Sequence, residues 1–205
     1  DPYFKVTVDA ATGMDALTHA IESYITPGAW VMSDMFELKA IEMIAQNLKA
    51  AVDNGKDVAA REAMSQAQYI AGMGFSNVGL GIVHSMAHPL GAFYDTPHGV
   101  ANALLLPYVM EYNAESPAAP KYIHIAKAMG VDTTGMSEAE GVKAAIEAVK
   151  ALSVSINIPQ KLHEINVKEE DIPALAVAAF NDVCTGGNPR PTSVADIEAL
   201  YHKAF

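Results

Sequence analysis

The chain has 205 residues, 51% of them hydrophobic and 18% charged, enough to bury one substantial core. Its 24 acidic and 13 basic side chains leave a net charge of −11. That balance argues against nucleic-acid backbones and anionic membrane surfaces as partners, since either needs a basic patch. No apolar run is long enough to span a bilayer. The single cysteine, Cys184, excludes an internal disulfide and fits a reducing compartment, so a cytoplasmic location is expected.

The first ten residues, with "YFKVTV" rich in β-favouring types, read as a short extended segment, and Thr12-Gly13 as a break before a helix. A helical domain is expected over 11–205. "MDALTHAIESYI" places Leu17, Ala20, Ile21 and Tyr24 at helical spacing, and Pro27-Gly28 closes that element. "SDMFELKAIEMIAQNLKAAV" reads as an amphipathic helix with Ser33 as N-cap, and "VAAREAMSQAQYIAGMGFSNVG" as a third. Gly72, Gly74, Gly79 and Gly81 then cluster where backbones have reason to approach closely. A helix from about residue 80 to 93 follows. Asp95-Thr96-Pro97 forms a turn, with Pro97 suited to the first position of the next helix. Further helices are expected at 121–129, after the Ser137/Glu140 capping box, at 173–183 and after Ser193, with "CTGGNPRPT" as a loop. No convincing strand follows the opening residues. The fold class is all-α.

The histidines carry the chemistry. His84, His88 and His98 fall within fifteen positions of a largely apolar stretch. His84 and His88 stand four apart, as do Asp15 and His19 on the first helix, so each pair leaves one helix face. Two helices and a helix start could thus aim one carboxylate and several imidazoles at one point, a donor set suited to Fe²⁺ or Zn²⁺. Core histidines satisfied by hydrogen bonds, and an Asp15 that merely favours a helix N-terminus, explain the same spacing. Spacing alone leaves both readings open.

"AATGMDALTHAIESY" together with "GLGIVHSMAHPLGAFYDTPHGVANALLLPYVMEYN" resembles the signature pair of the iron-containing alcohol dehydrogenases, and the likeness runs from about Ala10 to the C-terminus. Within that family the chain is most similar to the branch acting on lactaldehyde and 1,2-propanediol. The resemblance implies that Asp15, His19, His84 and His98 are metal ligands, with iron the usual ion and zinc a common substitute. It implies that His88 is not a ligand but lies beside the metal and relays a proton, as suits an imidazole. It matches Phe75 and Cys184 to the substrate pocket wall, where ordinary helix packing and an inert buried thiol are the alternatives. It also implies a homodimer and a small alcohol or aldehyde substrate.

The family's enzymes carry an N-terminal nucleotide-binding domain for NAD(P), and no phosphate-binding glycine fingerprint opens a helix after a strand in this chain. The sequence therefore resembles the second half of such an enzyme with an altered start. Turnover by this chain alone is not expected. Two alternatives are a non-catalytic helical metal-binding or assembly module, and a zinc enzyme resembling glycerol dehydrogenases or dehydroquinate synthases, which use fewer protein ligands.

Overall fold

A computed structural model describes residues 6–205. Every regular element among the described residues is helical, and no strand occurs there. The α-helices are α1 (Val8–Ile25), α2 (Val31–Asp53), α3 (Val58–Val78), α4 (Ile82–Tyr94), α5 (His98–Asn113), α6 (Tyr122–Ala128), α7 (Glu138–Ser155), α8 (Ile172–Phe180) and α9 (Val194–Ala204). Short 3-10 turns at Ala119–Lys121, Leu162–Ile165, Glu169–Asp171 and Thr185–Gly187 connect some of them.

The central helix is α1, packed on α2, α3 and α5. Its Met14, Leu17, Ala20 and Ile21 are fully buried, spaced to make an apolar stripe. Next to α5 lies α4, which α8 covers, and α9 packs on α8. Tyr201 of α9 donates its hydroxyl proton to the Met86 carbonyl, 2.6 Å away, tying the last helix to α4. Helices α6 and α7 pair beside α2 and α5. Among the described residues no helix is long and apolar enough to cross a membrane.

The helical reading of the sequence holds, with corrections at boundaries. Residues 1–5 of the expected extended segment lie outside the described residues, and α1 already begins at Val8. Thr7 is the cause: its Oγ1 accepts from the Ala10 backbone N–H at 3.1 Å, and Asp9 supplies first-turn negative charge. Gly13 is consequently inside the helix and breaks nothing. Ser33 is not an N-cap. Trp30 caps α2, and Ser33, in its first turn, reaches back to the Trp30 N–H at 3.0 Å. Pro97 is the N-cap of α5 rather than its first residue, so the helix starts one residue later than expected. The eighth helix stops at Phe180, because Asp182 turns back to accept the Cys184 N–H at 2.9 Å. Ser137 and Glu140 form the expected capping box.

Two glycines set helix spacing. A Cβ at Gly99 would stand 2.2 Å from the Ala11 carbonyl oxygen, so only glycine lets the start of α5 press against α1. At Gly74 a Cβ would stand 1.9 Å from Glu37 Oε1. Glu37 is fully buried between α2 and α3. The Ser23 hydroxyl lies 2.6 Å from both Glu37 Oε1 and the His19 carbonyl. One hydroxyl proton cannot serve two acceptors, so a protonated Glu37 that donates to Ser23 resolves the arrangement.

Burial pushes the Glu37 carboxyl up to about 8, although a Ser23 hydroxyl turned to donate to the ionised form partly opposes this. A group held above its unfolded value stabilises fully below that value and progressively less as pH rises through the folded one. Wild-type stability should therefore fall between an ordinary carboxylate pKa of 4.5 and about 8. Thermal melts across that range should show a shallower decline for Glu37→Gln than for wild type. Parallel slopes would refute a neutral Glu37.

Candidate metal centre

Asp15 and His19 on α1 and His84 on α4 converge on one point, and His98 at the start of α5 approaches the same carboxylate without joining that tight group. Ligand atoms of Asp15, His19 and His84 all lie within 4.8 Å of one another. The Asp15 carboxylate is the hub. His98 Nε2 is 3.4 Å and His84 Nε2 3.7 Å from Oδ1, and His19 Nδ1 is 3.8 Å from Oδ2. The rings pack together, with centroids 4.5 Å apart for His19 and His84 and 5.4 Å for His84 and His98. Phe75 of α3 stacks on His19 at 4.5 Å and 21°.

Behind the cluster sits Glu22, which sequence reasoning missed. It is 3% exposed, its Oε2 binds His84 Nδ1, and its Oε1 accepts from the Val83 N–H at 2.7 Å. A carboxylate accepts, so His84 carries its proton on Nδ1 and turns the Nε2 lone pair inward. The sequence places Asp15, His19 and Glu22 at i, i+4, i+7 along one face of α1, a spacing too common to single Glu22 out without its burial.

Asn102 was missed as well. It stands four residues after His98 on α5, and its Nδ2 lies 2.7 Å from Asp15 Oδ1, 3.2 Å from His84 Nε2 and 3.1 Å from His98 Nε2. Its own Oδ1 is buried without a partner among the described residues. Two amide protons cannot serve three acceptors at once, so the centre holds more lone pairs than donors. That surplus, built from imidazole nitrogen and one carboxylate, fits a divalent transition cation.

Electrostatics agree at two of the three rings. Burial holds the His19 imidazole below its ordinary pKa despite the neighbouring Asp15, and burial likewise lowers His98. Both are kept neutral, as ligation requires. Burial also opposes charge on His84, but the carboxylates of Glu22, Asp15 and Asp182 together outweigh it and the net direction is upward.

His88 lies one turn beyond His84, with its ring 5.4 Å from that of His98 and stacked at 15°. It is 42% exposed, and its Nδ1 is 2.7 Å from Asp182 Oδ2. A cavity of about 980 Å³ opens beside the cluster between α1, α2 and α3. Asp15, His19 and Phe75 line it together with Met64 and Met73, while His88, His98 and Cys184 are not among its lining residues. Phe75 and Cys184, expected on one pocket wall, thus do not share this cavity. Burial, with Asp182 adding to it, pushes the Cys184 thiol up to about 12, leaving a neutral sulfur rather than a nucleophile.

This helical architecture recurs in known proteins. Residues 9–205 match the Fe-containing alcohol dehydrogenase family, C-terminal, and the chain belongs to that family. It is 60% identical over 196 residues to lactaldehyde reductase of Escherichia coli K12, covering 96% of this chain and 50% of that protein. It is 47% identical to 1,3-propanediol dehydrogenase of Klebsiella pneumoniae over the same shares. A crystal structure of a 1,3-propanediol oxidoreductase superposes with a TM-score of 0.94 at 47% identity, over 96% of this chain and 51% of that one. The iron-containing alcohol dehydrogenase from Thermococcus thioreducens gives 0.86 at 33% identity, over 100% and 53%. The chain therefore spans about half the length of the relatives it matches.

Removing Glu22 would strand the His84 and Val83 protons in a buried setting. Glu22→Ala should cost about 3–5 kcal/mol in urea unfolding, and much less when His84→Ala is already present. A cost below about 1 kcal/mol would show that the Glu22–His84 pair does not join the two helices.

Proposed function

We propose that this chain is the metal-binding half of an NAD(P)-dependent alcohol dehydrogenase that interconverts small alcohols or diols with their aldehydes, of the lactaldehyde/1,2-propanediol type. The observation that carries the reading is the convergence of one carboxylate and three imidazoles beside a cavity, in a chain 60% identical to a lactaldehyde reductase. Asp15, His19, His84 and His98 would hold the ion, Fe²⁺ by family and Zn²⁺ as substitute. When bound, such an ion supplies Lewis acidity, polarising a carbonyl or lowering the pKa of a hydroxyl.

The chain's own residues do the rest. Glu22 and Asn102 hold the inward lone pairs in register. Phe75 shields one side of His19 and gives the cavity an apolar wall for the substrate carbons. Cys184, which does not line that cavity, is assigned to the substrate pocket by family alone, and its turn with Asp182 sets it on the His88 side. His88, partly exposed beside His98, delivers a proton to the oxygen during aldehyde reduction and takes it back during alcohol oxidation. A nucleotide-binding half working with this chain would hold the nicotinamide, which would supply the hydride chemistry. We place the assembly in the cytoplasm as a homodimer. The lone cysteine supports the first assignment.

The test pairs this chain with a nucleotide-binding half, as in full-length relatives, and follows NADH consumption with lactaldehyde. A metal-dependent rate is expected, with His88→Ala lowering kcat by about 10²–10⁴-fold. A rate indifferent to chelation, or to loss of His88, would contradict the assignment.

A further inference from the structure

His88 is held by a built device. Its Nδ1 faces Asp182 Oδ2 at 2.7 Å, and Asp182 Oδ1 accepts from the Cys184 N–H at 2.9 Å. The turn carrying both residues is pinned on every side. Thr185 Oγ1 bridges the Ala179 carbonyl and the Ser85 hydroxyl, each at 2.8 Å, which ties the turn to α8 and α4. The Thr26 hydroxyl donates to the Gly187 carbonyl at 2.8 Å. Asn188 and Asn113 exchange reciprocal amide bonds of 2.8 and 3.0 Å. A loop rich in glycine is thereby fastened to α1, α4, α5 and α8.

From this geometry we infer that Asp182 is a positioning residue that locks His88 in the Nδ1–H tautomer and couples its ring to the Cys184 turn. An ionised carboxylate offers only lone pairs, so the facing imidazole nitrogen must carry the proton. Nε2 of the neutral ring is then the free base. Although burial opposes it, the N–H of Cys184 and the His88 bond hold Asp182 below its ordinary pKa, so it stays an acceptor. The same pattern serves His84, where Glu22 binds Nδ1 and caps the first turn of α4. Two carboxylates from two different elements thus set two rings, four residues apart, with the same polarity. In His84 the freed nitrogen faces Asp15; in His88 it is the atom available for proton transfer. The inference deepens the proposed role of His88, but the tautomer is fixed by Asp182 whether or not metal binds.

The test is a ¹⁵N NMR measurement of the His88 ring in the intact chain, at a pH well above the ordinary imidazole pKa, with His88→Gln to assign the signals. Wild type should show a protonated Nδ1 and a bare Nε2. Asp182→Asn keeps an oxygen for the Cys184 N–H and turns an amide donor towards the ring, so the two nitrogen shifts should exchange. Asp182→Ala should give a mixture. A bare Nδ1 in wild type would overturn the proposal without any variant, as would an unchanged tautomer in folded Asp182→Asn. Failure of metal binding or turnover would leave these shifts unaltered, so the two readings fail separately.

Discussion

The buried contact between Glu22 and His84 is the constraint from which the site follows. One carboxylate, removed from water inside α1, binds the imidazole of α4 and the first-turn N–H of Val83. A buried carboxylate without partners would be costly, and this one spends both oxygens on a single neighbouring helix. It therefore fixes how α4 is rotated and how far it slides along α1. It also fixes which nitrogen of His84 faces Asp15. Packing of α5 completes the set, because Gly99 lets that helix start close enough to bring His98 within 3.4 Å of the Asp15 carboxylate.

The centre is thus layered. Lone-pair donors converge at the middle, Glu22 holds His84 from behind, and Gly99 leaves no room for a side chain where α5 meets α1. Asn102 shows how crowded with acceptors the middle is, since its amide faces three of them while its own buried oxygen has none. Rigid helices suit this task, because ligands carried on them need little ordering when an ion arrives.

Much of this was legible in the sequence. Paired i, i+4 spacings on α1 and α4 announced a common face, and the helices themselves followed from apolar periodicity. Boundaries were less legible where a side chain overrides local propensity. Thr7 starts α1 inside a run of β-favouring residues, and Asp182 ends α8 before Val183. Glu22 and Asn102 escaped notice because acids and amides at helical spacing are common, and only burial distinguishes these two. The Asp182–His88 pairing spans 94 positions, and no local pattern could announce it. Nor could spacing reveal that Phe75 lines the cavity while Cys184 does not.

The most direct measurement titrates the metal-free chain with Fe²⁺ under anaerobic conditions, and with Zn²⁺, by calorimetry, alongside Asp15→Ala and His98→Ala. One ion per chain with strong affinity, severely weakened in both variants, is the expected result. Affinity unchanged in both variants, or no binding in the parent chain, would contradict a centre gathered on Asp15.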